Sequence, residues 1–223
     1  MMLKIFSPLI ENTMNIFFLS ILVTECALLH CDKHVVKMIL ESAQLLWSAW
    51  HMTGDANWQY NVPSNIKIYR LTHKNHPMSI WVRKSTYNYW WLVRMAVELC
   101  IEYDRRYRCT HSSPRVYNCN ICKPKRHACM DGLVWLLNNI PQCNDDLSQY
   151  NKSEDGFATK NIPPGCTKVP LCMPIEYYSS DLTEAYRSYY RGDKRSIATW
   201  INTMIPKWYH KVKIVNHTVR NII

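Results

Sequence analysis

His34 and Glu41 stand seven residues apart, a spacing that puts an imidazole and a carboxylate two turns apart on one helix face. Cys31 and Met38 lie beside them. An ionisable pair on an otherwise apolar face has two readings. It can be a poised acid/base site, or a buried pair that fixes how the helix packs. Spacing alone leaves both open.

A second group, Thr72 to Pro77, gathers His73, Lys74, Asn75 and His76 just ahead of a helix that Pro77 can open. Free N–H groups at such a helix mouth suit a phosphate. Behind it, cations alternate with rings: Trp81, Arg83, Lys84, Tyr87, Tyr89, Trp90, Trp91 and Arg94. That mixture suits bases and the sugar-phosphate backbone, although part of the set must face a core. The alternation returns in Tyr186, Arg187, Tyr189, Tyr190 and Arg191, and in Pro206-Lys207-Trp208-Tyr209. The bland alternative there is a helix that packs its tyrosines and turns its arginines to water.

Cys119 and Cys122 form a CxxC pair, followed by His127 and Cys129. Three thiolates and an imidazole could close a tetrahedral structural zinc site. The alternative is a set of reduced cysteines in a basic insertion.

The formal net charge is +10 over 223 residues, unevenly spread. Residues 61–130 hold 13 Lys/Arg against three acids, and 186–223 hold eight against one, while 131–185 are acidic. Segregated positive charge points to a polyanionic partner. The ten cysteines do not read as a secreted disulfide scaffold, because such scaffolds are small and core-poor and this chain is 48% apolar. No uninterrupted apolar stretch reaches the roughly 18–20 residues of a membrane helix. The run from Ile16 to Leu29 is a poor signal peptide, interrupted by Ser20, Thr24 and Glu25. The chain is expected to be intracellular, in cytoplasm or nucleus.

The elements that must position these groups follow from periodicity. Residues 15–20 form a short extended lead-in. One long helix is expected from Glu25 to His51 and another from Pro77 to Tyr107. A short helix is expected from Asp131 to Asn139, and mostly loop over 142–180. Asp181 with Glu184 resembles a capping box for a helix to Tyr190, and Asp193 can cap another to Met204. The fold class is therefore mainly α, a compact helical domain over 14–223 with a Cys-rich insertion at about 108–172 and an extension over 1–13.

Taken in order, these blocks resemble the phage-type pyrimidine-dimer DNA glycosylases, the endonuclease V family, and longer viral relatives. His34-Val-Val-x4-Glu41 is similar to that family's first-helix His and catalytic Glu. Asn75-His-Pro-x3-Trp81 with Glu98-Leu-Cys-Ile-Glu-Tyr-x-Arg105 is similar to its second helix. Pro206-Lys-Trp-Tyr209 is similar to its aromatic C-terminal segment, and Met14-Asn-Ile-Phe-Phe-Leu to its N-terminus. The likeness covers roughly 14–107 and 173–210.

What the resemblance implies is a DNA-repair glycosylase/AP lyase that flips a damaged pyrimidine and needs no cofactor. An α-amine would attack the sugar C1′ to form a Schiff base, Glu41 would move protons, and His34 would orient sugar or phosphate. Two departures stand out: Leu40 where that family carries an Arg beside the Glu, and thirteen residues before Met14. The resemblance therefore implies that Met14 is the functional start. Asn15 disfavours removal of that methionine, so the amine is assigned to Met14. Other functions compatible with the residues are an enzyme on the same scaffold acting on another base or a nucleotide, and a non-catalytic zinc-containing nucleic-acid-binding protein.

Overall fold

The computed structural model describes residues 14–108, 122–143, 156–201 and 203–210. The extension 1–13, Cys119 and the last thirteen residues lie outside the described part. Within it, the expectation of a mainly helical fold is met by six α-helices and one two-stranded sheet.

The helices are α1 (Val23–Leu29), α2 (Asp32–Thr53), α3 (Pro77–Lys84), α4 (Thr86–Tyr107), α5 (Met130–Asn138) and α6 (Leu182–Arg191). The strands β1 (Phe157–Ala158) and β2 (Val169–Pro170) pair antiparallel. α2 and α4 form the antiparallel centre: Trp50 donates to the Tyr89 hydroxyl at one end (3.0 Å), and Arg106 meets Asp32 at the other. α3 and α5 pack on this pair, and Leu133, Leu136, Ala158, Val169 and Leu171 add to the same core. Much of the described part of 108–172 is thus built into the domain.

The segment Met14 to Ser20 is buried throughout. Its run of consecutive apolar residues, without alternation, suits a chain covered on both sides. Phe17 packs against His34, Tyr186, Tyr189 and Tyr190, and Phe18 against Trp81, Trp91 and Tyr186. A buried extended segment outside a sheet must find other partners for its backbone. Side chains supply several. Arg187 donates twice to the Leu19 carbonyl, the Cys26 thiol donates to that of Phe17, and Trp91 to that of Ile21.

The expected long helices are each broken. His30 and Cys31 are extended and separate α1 from α2. Arg106 stabilises the break, its guanidinium donating to the Leu28 and His30 carbonyls left open at the end of α1 and to the Asp32 carboxylate at the start of α2. Ser85, also extended, separates α3 from α4, and its hydroxyl accepts the Tyr87 N–H as an N-cap. The capping of α6 is as expected, with Asp181 accepting from the Glu184 N–H (3.0 Å) and Gly192 at the C-terminus. A Cβ on Gly192 would run into the Tyr177 ring and hydroxyl, so a larger residue there would have to push Tyr177 aside.

The helix expected from Asp193 to Met204 is absent. Residues 192–197 form turns, and the chain then runs along the start of α2. There the Asp32 N–H donates to the Thr199 carbonyl and the Asp32 carboxylate accepts the Ile201 N–H (2.7 Å). A continuing helix would forfeit both bonds.

Candidate active site

Glu41 lies two and a half turns into α2, on its outward edge. Its Oε2 accepts the backbone N–H of Asn15 at 3.2 Å, and its Oε1 lies 3.1 Å from the Lys37 ammonium. The carboxylate is only 12% exposed, whereas the Lys37 side chain is 59% exposed. Asn15 is fixed in turn. Its amide donates to the Cys172 carbonyl (2.7 Å), while its oxygen accepts from its neighbour Ile16 and from the Tyr186 hydroxyl. Three separate parts of the chain, the N-terminal segment, α2 and the 172–186 region, therefore meet at one carboxylate. Met14, one residue before the amide that touches Glu41, is buried beside it.

An amine placed where this N–H sits would face a carboxylate able to take and return a proton. That is the chemical capacity of the arrangement.

His34 occupies a different environment. Its Nδ1 lies 2.5 Å from the Tyr190 hydroxyl and its ring lies against Phe17. It is 3% exposed, so the expected direct contact with sugar or phosphate is not offered by this geometry. Burial holds its pKa well below the ordinary imidazole value, with repulsion from His30, Lys194 and Lys37 in the same direction. His30, fully buried and bonded through Nδ1 to the Cys26 carbonyl (2.7 Å), is lowered to about 4 by burial. Both imidazoles are neutral at pH 7.

The sign of the resulting pH dependence follows. Below about 6.5 the unfolded chain binds protons that the native one refuses, so stability is full above that pH and is lost as pH falls towards 4. His30 alone is expected to cost about 2 kcal/mol by pH 5. Melting temperatures measured at pH 7.5 and 5.0 check this. A flat profile would contradict it.

The expected nucleic-acid contacts divide into two groups. His73, Lys74 and Asn75 are exposed at the mouth of α3, and His76 is half-buried and caps the helix by accepting the Met78 N–H. The Cys172 that holds Asn15 also meets the backbone of Met78, which ties the start of α3 to the segment that touches Glu41. Arg83 ties the loop by donating to the Lys74 carbonyl (2.7 Å). Arg94 is exposed and lies over the exposed Trp90 ring at 4.4 Å, and Lys207 is exposed.

Lys84 departs from expectation, being buried and therefore not presented to a phosphate. Arg187 is held by Leu19 and lies over the half-buried Trp208, so both serve packing in this geometry. Sequence reasoning gives no site role to Lys37, Asn15 or Cys172, and it places Tyr186 only in the ring-and-cation run. Only the first carried a local signal, the i,i+4 spacing from Glu41.

Of the proposed zinc ligands, Cys119 lies outside the described residues. Cys129 is buried and bonded to the Tyr69 hydroxyl (3.3 Å), and His127 accepts the Cys129 N–H and packs edge-on against Tyr103. Among the described residues no group of three or more His, Cys, Asp or Glu is placed to hold a metal ion. None of the described helices is long and apolar enough to cross a membrane.

Compared with known families, residues 14–114 match the model described as pyrimidine dimer DNA glycosylase. The match begins at the buried Met14 and contains α1 to α4, His34 and Glu41. Comparison with curated proteins and with solved structures found no match.

Proposed function

From the match of residues 14–114 to the pyrimidine dimer DNA glycosylase model, we propose that the chain is a DNA-repair glycosylase that needs no cofactor, and that Glu41 and an adjacent α-amine form the reaction centre of a glycosylase/AP lyase. The single observation that carries this reading is the 3.2 Å contact between the Glu41 carboxylate and the residue-15 backbone nitrogen. A chain that begins at Met14 has its amine one residue from that contact, within the same buried segment.

An α-amine with a pKa of about 7.7–8.0 is partly neutral at pH 7. Its lone pair attacks C1′ of a flipped nucleotide, the glycosylic bond breaks, and the departing base takes a proton. The bound nitrogen loses one proton. Its lone pair then expels the ring oxygen O4′ as the C1′–O4′ bond breaks and O4′ takes a proton, and a protonated imine results. Glu41 stabilises the cationic intermediate and then accepts a sugar proton, with expulsion of the 3′ phosphate. His73, Lys74 and Asn75 at the mouth of α3, with Arg94 and Lys207, provide backbone contacts for a damaged duplex. His34 acts as a positioning residue that fixes Phe17, and through it the N-terminal segment, against Tyr190.

Borohydride reduction during reaction with an abasic or dimer-containing duplex is expected to trap a covalent adduct for the chain beginning at Met14. The chain beginning at Met1 is expected to trap far less. Equal trapping by both chains, or none by either, would sink the proposal.

A further inference from the structure

The outward stripe of α2 runs Lys33, Val36, Lys37, Leu40, Glu41 and Gln44, successive members of one helix face. Lys37 and Glu41 pair across one turn of this stripe, and the two partners are held very differently. The carboxylate is nearly buried and is anchored through Oε2 by the Asn15 N–H, so it does not need Lys37 to stay in place. The ammonium is largely exposed at the end of a flexible stem. An exposed i,i+4 ion pair contributes little, and a competing anion can take the cation with small loss. A DNA phosphate is a strong competitor, because binding it also releases condensed counterions.

We propose that Lys37 is exchanged between two anions, covering Oε1 of Glu41 in the free protein and moving to a backbone phosphate beside the lesion when DNA docks. This rests on the reading of Glu41 as the catalytic carboxylate. In the free protein both oxygens of Glu41 are occupied, one by Lys37 and one by Asn15. Docking uncovers Oε1 towards the sugar only once substrate is present. Val36 and Leu40 beside the pair are apolar and exposed, and Lys33, the other cation of the stripe, stands a further turn from Glu41, so the phosphate nearest Glu41 falls to Lys37. Lys37 touches no reacting atom and is a positioning residue.

The test is equilibrium binding of the full chain to a duplex carrying a tetrahydrofuran abasic analogue, which cannot form a Schiff base, measured across a range of salt. Wild type and Glu41→Gln are expected to share one slope of log affinity against log salt, because Lys37 sits on phosphate in both complexes. Lys37→Gln is expected to be shallower by about 0.9, the contribution of one phosphate contact, and Lys37→Arg to restore the slope. A Lys37→Gln slope equal to wild type overturns the exchange. So does a Glu41→Gln slope steeper than wild type by about one, which would mean that Lys37 stays on Glu41 in the native complex. Failure of the catalytic reading shows separately, as the absence of a borohydride adduct with wild-type protein.

Discussion

Glu41→Gln is expected to lower single-turnover cleavage of a damaged duplex by about 10²–10⁴-fold, the range for loss of a general acid–base group, while affinity stays equal or rises. The substitution is nearly isosteric. The amide oxygen of glutamine can still accept the Asn15 N–H, so the N-terminal segment keeps its anchor. What disappears is the charge, and with it the ability to accept a proton and to stabilise a cationic sugar. Binding is spared because a negative group next to DNA is removed. Single-turnover kinetics and binding curves for the same duplex check both halves. A variant that retains more than a tenth of wild-type rate would show that Glu41 only anchors Asn15.

Arg106→Met is expected to destabilise the protein by about 3–5 kcal/mol, as when one partner of a buried ion pair is removed. The Arg106 side chain has no exposure and holds Glu102, Asp32 and the Leu28 and His30 carbonyls together. Without it, Asp32 is left as a buried carboxylate with only backbone donors, and the end of α1 loses its closing group. For a domain of this size the melting temperature should fall roughly 10 °C. A fall under about 2 °C would mean that the break between α1 and α2 does not depend on Arg106. The effect should reach the reaction centre indirectly, since α2 carries Glu41.

The helical class, the short helix at 130–138 and the Asp181 cap were all legible, because each rests on local pattern. The two helix breaks were not, for different reasons. No Gly or Pro marks His30–Cys31. The break there is made by Arg106, 76 residues further on, and periodicity over a single window cannot see such a partner. Ser85 is a cap residue and gave a local signal, but it was masked by apolar spacing that continued in register on both sides. The helix expected after Asp193 failed because Asp32 offers a backbone pairing that competes with it.

For the site, the His34/Glu41 spacing correctly put two ionisable groups on one helix, yet it could not separate their roles. A difference of about 20° around α2, together with the packing of α6, buries His34 against Tyr190 and leaves Glu41 at the edge. The ring-and-cation pattern was over-read for the same reason. Lys84 and Arg187 turn inward, while Arg94 and Lys207 turn out. Asn15, Cys172 and Tyr186 are brought together only by the fold.

The most direct test of the central claim is to map the position of the trapped sugar. The chain beginning at Met14 is reacted with an abasic duplex under borohydride, digested, and its modified peptide identified by mass spectrometry. The account predicts the sugar on the α-amine of the N-terminal peptide, with the adduct greatly reduced in Glu41→Gln. An adduct on the Lys37 side chain, or on any other lysine, would contradict it.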